Sequence, residues 1–245
     1  MHAGRWNESH LKCVVMCGGR SSRFARGSTH KSMAAVGGVP LLRYVVDYWR
    51  AYTEDFIFVV KNGKADVMEY VATLPITAEF VEPTELRGIA DGLTYVEPLI
   101  DGPFIMVLGD CFCSGRFDLS APFEFGIGVL DDVPLEVIRR NYAVTLDERR
   151  VTGLEEKPLE PPNALCGLGF YFFQPAVFDY VRMTAPSSRS GEIEITDVLQ
   201  TMVDQGVDLR AVMLDGAYVN VNKAEDLEYI DALLTSGRAT NPYRA

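Results

Sequence analysis

Two apolar runs in this sequence end on groups that can handle phosphate and metal. In CVVMCGGRSSRF (13–24) the run through Cys17 stops at Gly18 and Gly19, followed by Arg20, Ser21, Ser22 and Arg23, with Arg26 and Lys31 a little further on. Glycine lets backbone amides approach a phosphate closely, and nearby cations offset its charge, so the stretch predicts a cradle for a polyphosphate. It is neither a Walker loop nor a dinucleotide fingerprint, since GxxxxGK[ST] and GxGxxG are both absent. Taken alone, the same residues also fit an ordinary strand-to-helix turn with solvated arginines. The second run, PFIMVLGD (103–110), ends on Asp110, whose carboxylate would offer hard oxygen to a cation such as Mg²⁺ at a strand end. Capping a turn or helix is the other use of an aspartate there.

The elements that must position these groups are legible as a pattern. Apolar runs of strand length recur at 11–17, 55–60, 77–81, 103–109, 125–130, 169–173, 209–214 and 217–221. Between many of them lie segments with helical periodicity, such as PLLRYVVDYWRAY, KADVMEYVATL, EITDVLQTMVDQG and KAEDLEYIDALL. Strands alternating with helices imply a doubly wound α/β sandwich, with a parallel-rich sheet covered on both faces. Pro40 and Gly206 are a start and a stop signal for helices. From Asp131 to Pro162 the alternation weakens, and NYAVTLDERRVTGLEEKP predicts a hairpin with its loop at 147–149, a small antiparallel insertion. No repeat or linker divides the sequence, so a single domain over 1–245 is expected.

Composition narrows the classes. The net charge of −11 opposes binding to a nucleic-acid backbone, and no apolar run is long enough for a membrane span. MHAGRWNESH lacks the apolar middle of a signal peptide, so a cytoplasmic protein is expected. The five cysteines at 13, 17, 111, 113 and 166 form no pair of CxxC units, and free thiols are the reading. His2, His10 and His30 fall outside the strand ends, and no Ser/His/Asp or Cys/His set is visible.

Six stretches, in order along nearly the whole chain, resemble the nucleotidylyltransferases that activate sugar 1-phosphates and related phosphorylated molecules. GGRSSR (18–23) with Lys31 is similar to their GGxGxR signature and downstream lysine, with Ser21 in place of a glycine. GIADGL (88–93) is similar to the turn beside the base, VLGD (107–110) to the metal-binding strand end, and VTGLEEKP (151–158) to the EKP element. GEIEITDV (191–198) and AYVNVNKAEDL (217–227) complete the series. The resemblance implies a Rossmann-like nucleotidyltransferase fold, with a mostly parallel mixed sheet. It implies Mg²⁺ held by Asp110 and Asn220, where most relatives have Asp, with Asn222 as the competing ligand. Cys17, Gly18, Gly19, Arg20, Ser21, Ser22, Gly88, Ile89, Ala90 and Asp110 would then bind nucleotide, and Arg23 and Lys31 would grip its β- and γ-phosphates. Lys157 would orient the acceptor phosphate, with Glu156, Asn163 and Gly169 beside the acceptor.

On this reading an oxygen of the acceptor phosphate attacks the α-phosphorus of a nucleoside triphosphate and pyrophosphate leaves. A phosphate monoester is already anionic at neutral pH, so no strong general base is required, and positioning and charge stabilisation carry the rate. Where relatives place a glutamine that reads a pyrimidine, this sequence has Glu82, with one extra residue before Gly88. A carboxylate only accepts hydrogen bonds, so CTP or GTP is expected over UTP or dTTP, though a solvated Glu82 fits as well. The acceptor stays open among phosphorylated sugars, polyols, choline-like alcohols and phosphonates. Two rivals remain. A glycosyltransferase of similar architecture would need a DxD cluster where Asp110-Cys111-Phe112 stands, and a non-catalytic nucleotide sensor would have kept the fold alone.

Overall fold

The computed structural model describes residues 11–19, 30–237 and 241. Strand β1 (Lys12–Cys17) lies in the interior of the sheet, with a strand on either side, and its residues alternate between two layers. Cys13, Val15 and Cys17 pack on one side with Leu42, Val46 and Trp49, while Val14 packs on the other with Ala90 and Leu93. A strand buried on both faces loses the polar half of its period-2 pattern, which is why it reads as one apolar run.

After β1 come a ribbon of β2 (Ala35–Val36) and β3 (Val39–Pro40), then α1 (Leu41–Trp49), β4 (Asp55–Val60), α2 (Lys64–Val71), β5 (Thr77–Val81), α3 (Ile89–Thr94) and β6 (Phe104–Leu108). β6, β1, β4 and β5 lie side by side and all run parallel. Pro40 caps α1, as its position predicts, and Leu41, Leu42, Val45, Val46 and Trp49 form the buried stripe of that helix. Trp49 is fully buried and stacks on Phe117 with ring centroids 5.7 Å apart. Emptying such a site costs about 3–5 kcal/mol, so α1 is locked to the sheet it covers.

The second half contains β7 (Cys111–Cys113), β8 (Arg116–Phe117), β9 (Phe125–Leu130), α4 (Leu135–Ile138), β10 (Tyr142–Asp147), β11 (Arg150–Glu156) and β12 (Cys166–Phe173). It ends with α5 (Val177–Met183), α6 (Ile195–Asp204), β13 (Leu209–Asp215), β14 (Tyr218–Asn220) and α7 (Ala224–Ser236). The large sheet has the order β10-β11-β13-β9-β12-β6-β1-β4-β5, with β8 against β13. The expected hairpin is β10–β11. The antiparallel part is larger than that hairpin, because β12 lies antiparallel between β6 and β9. The brief pair β7–β14, not marked as a separate unit by the sequence pattern, brings Asn220 opposite Cys111 and so next to Asp110. No described helix is long and apolar enough to cross a membrane.

Candidate active site

The parallel strands β1, β4 and β6 end together, and their ends build a cleft of about 710 Å³. That is ample for a nucleotide. Gly109 makes the meeting of β1 and β6 possible. Its amide donates to the Met16 carbonyl at 3.1 Å, and a Cβ there would sit 2.5 Å from Cys17 Sγ. The residue after it, Asp110, therefore emerges beside the glycines that follow β1. Its backbone carbonyl accepts from the Val221 amide at 3.0 Å, which ties it to the end of β14.

Lys31 reaches across the cleft and pairs with Asp110, Nζ to Oδ2, at 2.6 Å. Its position is set by a single helical turn, Lys31–Met33, capped by His30, whose Nδ1 accepts from the Ser32 amide at 3.3 Å. Burial holds His30 below the ordinary histidine pKa, and the Asp110 carboxylate only partly opposes this. The imidazole is thus a neutral structural acceptor.

Two further residues join the walls. Asn62 Nδ2 donates to the Gly18 carbonyl at 3.0 Å, and Lys61 Nζ donates to the carbonyls of Pro83 at 3.0 Å and Thr84 at 2.6 Å. Both follow β4, and the sequence signal for them was only that KN stands at the end of an apolar run, as GG does after β1. The opposite wall is the turn into α3. Gly88 has φ +110°, and a Cβ there would lie 2.6 Å from the Ile193 carbonyl, so glycine is required on both counts. The Arg87 carbonyl accepts from the Ile193 amide at 2.9 Å, and Asp91 Oδ2 accepts from the Arg87 amide at 2.9 Å.

A second polar group lies at the end of β11. Lys157, with φ +47°, pairs with Glu156 Oε1 at 3.0 Å and is about half exposed. Glu156 Oε2 accepts from Thr196 Oγ1 at 2.7 Å. Arg189 approaches the same Glu156 at 3.9 Å and pairs with Glu194 at 3.1 Å. Burial, and then the charge of Glu194, push the Asp197 carboxyl above the ordinary carboxylate range. Arg189 was missed by sequence reasoning, although the SSRSGE loop that carries it adjoins a recognised stretch. The two polar groups are joined by a short chain of contacts. Lys157 donates its amide to the Asn141 carbonyl at 2.8 Å, Asn141 Oδ1 accepts from Asn220 Nδ2 at 3.0 Å, and Asn220 precedes the Val221 amide that binds Asp110.

The structure thus brings Gly18, Gly19, Lys31, Gly88, Ile89 and Asp110 into one cleft, whereas Glu156 and Lys157 are not among the described residues that line it and connect to Asp110 only through the Asn141–Asn220 contacts. Other expected site residues lie elsewhere. Cys17 is fully buried with its thiol pushed up to about 12 by burial, and Ala90 is core. Glu82 is exposed, pairs with Lys64 at 2.6 Å, and is not among the described residues that line the cleft. Asn163 uses both ends of its amide on backbone, donating to Val144 and accepting from Leu165, each at 2.9 Å. Gly169 lies beneath the end of β6, where a Cβ would meet Cys111 Sγ at 2.8 Å; its space serves packing rather than an open surface. Asn222 Nδ2 donates back to the Asn220 carbonyl at 3.1 Å. Arg20, Ser21, Ser22, Arg23 and Arg26 lie outside the described residues.

The profile of the family described as nucleotidyl transferase matches residues 12–236. The chain is 29% identical over 245 residues to a glucose-1-phosphate thymidylyltransferase of Streptomyces antibioticus, covering 89% of this chain and 64% of that protein. It is 30% identical over 233 residues to a UTP–glucose-1-phosphate uridylyltransferase of Haloferax volcanii, covering 88% of this chain and 93% of that protein. Among solved structures, a UDP-glucose pyrophosphorylase complexed with UDP-glucose superposes with TM-score 0.79 at 20% identity, covering 93% of this chain and 99% of that one. An inositol-1-phosphate CTP transferase from T. maritima gives TM-score 0.78 at 19% identity, covering 94% and 96%. These last two are likenesses of fold.

Proposed function

The chain belongs to the nucleotidyl transferase family, and from that premise we propose that it transfers a nucleoside monophosphate from a nucleoside triphosphate to a sugar 1-phosphate, releasing pyrophosphate. The observation that carries this is the cleft at the parallel strand ends, where Lys31 and Asp110 face each other at 2.6 Å between the glycines after β1 and the turn at Gly88. In it the Gly18 and Gly19 backbone and Lys31 bind the triphosphate. Lys157, on the adjoining wall, holds the acceptor phosphate. An acceptor oxygen forms a bond to the α-phosphorus in line as the bond from that phosphorus to the β-phosphate oxygen breaks, and the electron pair leaves with pyrophosphate. The acceptor is already an anion, so these residues need only align the two phosphates and offset their charge.

The donor set suits a hard divalent ion. Asp110 supplies a carboxylate and Asn220 an amide oxygen, both oxygen ligands, and both are anchored at the junction of β7 and β14. When bound there, Mg²⁺ would supply charge neutralisation for the phosphate oxygens.

For the substrates, the support comes from relatives rather than from Glu82. The argument from Glu82 to CTP or GTP required that side chain to face the base, and it instead pairs with Lys64 outside the cleft wall. The named relatives use UTP or form thymidylyl products with glucose 1-phosphate. A pyrimidine nucleoside triphosphate and a hexose 1-phosphate are the pair we propose, with CTP retained among the pyrimidines. The test crosses UTP, dTTP, CTP and GTP with a panel of sugar phosphates in Mg²⁺ and reads products by mass spectrometry. Pyrophosphate should form only when both partners are present, and Glu82→Gln should leave the preferred base unchanged. Tight nucleotide binding with no product from any acceptor would replace the enzyme with a sensor.

A further inference from the structure

One buried side chain decides which atom of Asn220 is available to the site. Asn141 is only 8% exposed and its polar groups are engaged on several sides. Its amide donates to the Ile138 carbonyl at 2.9 Å and its carbonyl accepts from Lys157 at 2.8 Å. Its side-chain Nδ2 donates to the Val137 carbonyl at 3.0 Å. A backbone carbonyl can only accept, so this bond fixes the amide with nitrogen toward α4 and oxygen toward β14. That oxygen is the partner of Asn220, 3.0 Å away, and an oxygen partner requires Asn220 to present its Nδ2. The Asn220 Oδ1 is left as the end that does not face Asn141.

We propose that Asn141 is a positioning residue: by accepting from Asn220 Nδ2 it orients the Asn220 Oδ1 as the second oxygen ligand of the divalent cation. This rests on the reading of Asn220 as a ligand given above. It also accounts for an amide at position 220. A carboxylate there cannot donate, so it would face Asn141 Oδ1 as acceptor against acceptor. Turning the Asn141 amide to meet it would aim oxygen at the Val137 carbonyl instead. Residues 141 and 220 are therefore a matched pair, separated by most of the second half of the fold, and the polarity of the pair is set by a main-chain carbonyl of α4. The same residue receives the Lys157 amide, so the cation ligand and the acceptor lysine share one support.

The experiment compares binding of inorganic pyrophosphate with and without Mn²⁺ by calorimetry, in the wild type, Asn220→Ala, Asn141→Leu and Asn141→Asp, with thermal melting as a check on folding. Losing an outer partner of a metal ligand typically costs about 10–100-fold in metal affinity. Asn141→Leu should therefore cut the Mn²⁺-dependent gain in pyrophosphate affinity about tenfold, leaving metal-free pyrophosphate binding unchanged. Asn220→Ala should do the same, and Asn141→Asp, which keeps an acceptor for Asn220 but sets a carboxylate oxygen against the Val137 carbonyl, should retain the gain with a lower melting temperature. If Asn220→Ala loses the gain while a folded Asn141→Leu keeps it, the positioning role is wrong and the ligand reading stands. If Asn220→Ala keeps the gain, both fall. Should Asn141→Leu not fold, loss of the gain in Asn141→Asp overturns the proposal.

Discussion

The wall around Gly18, Lys31 and Asp110 and the wall around Glu156, Lys157 and Arg189 hold charge in opposite ways. The first stands on parallel strands buried on both faces, and its ion pair is largely sheltered, with side chains 15% and 27% exposed. The second stands on an antiparallel hairpin and a loop, with Lys157 and Arg189 at 49% and 44% exposed. Exposed pairs of that kind contribute well under ~1 kcal/mol and rearrange readily. On the proposed function, the sheltered wall would take the triphosphate and the exposed one the acceptor phosphate.

The largest effect expected from breaking this contrast is on the sheltered side. Asp110→Ala should lower turnover roughly a thousandfold, the scale of removing one preorganised electrostatic contact, with an unchanged melting temperature, as read by pyrophosphate release and calorimetry. Normal turnover would remove Asp110 from the chemistry. Lys157→Ala should lose turnover as well, about a hundredfold, but the loss should appear in the kinetics of the acceptor while the nucleotide KM stays put. An equal change in both KM values would merge the two walls into one site.

Stability sharpens the same contrast. At Gly109 an added Cβ meets Cys17 Sγ at 2.5 Å and the Met16 carbonyl at 3.2 Å, whereas at Gly153 on the hairpin the nearest atom is 3.8 Å away. Gly109→Ala should cost about 1–3 kcal/mol, and Gly153→Ala should be close to neutral, both by chemical denaturation. Equal costs would mean that the strand ends are no tighter than the hairpin. The smallest effect is that of Asp197. Its folded carboxyl titrates above the ordinary value of 3.8 because burial disfavours the charge. The folded state therefore binds more protons than the unfolded one between those two values, and stability falls as pH rises through that window. Asp197→Asn removes this dependence, so the variant should gain on the wild type as pH climbs from about 3.8, and then run level with it. A difference that is flat across the window, read from melting temperatures, would show that burial does not strain this carboxyl.

How much of this was legible depended on whether a role is carried by neighbours in the chain. Gly18, Gly19 and Asp110 could be placed because an apolar strand followed at once by glycine or aspartate puts those residues at a sheet edge, whatever the rest of the fold does. The strands at 55–60, 77–81 and 125–130 were legible to the residue for the same reason. Glu82 was not, because its partner Lys64 stands on α2, before β5, and no local pattern marks that pairing. Arg189 and Asn141 reach partners far away in the chain, Glu156 and Asn220, and Lys61 and Asn62 are marked only by following an apolar run.

Local pattern alone was therefore enough for the long strands of the large sheet, the helices between them, the glycines after β1 and the carboxylate that follows β6, since periodicity and turn chemistry are local properties. The antiparallel course of β12, the pairing of β7 with β14, the reach of Lys31 to Asp110 and the polarity of the Asn141–Asn220 pair were decided only in three dimensions. Each of these is a choice among hydrogen-bond or charge partners, and a partner exists only once packing has brought distant segments within about 3 Å of each other.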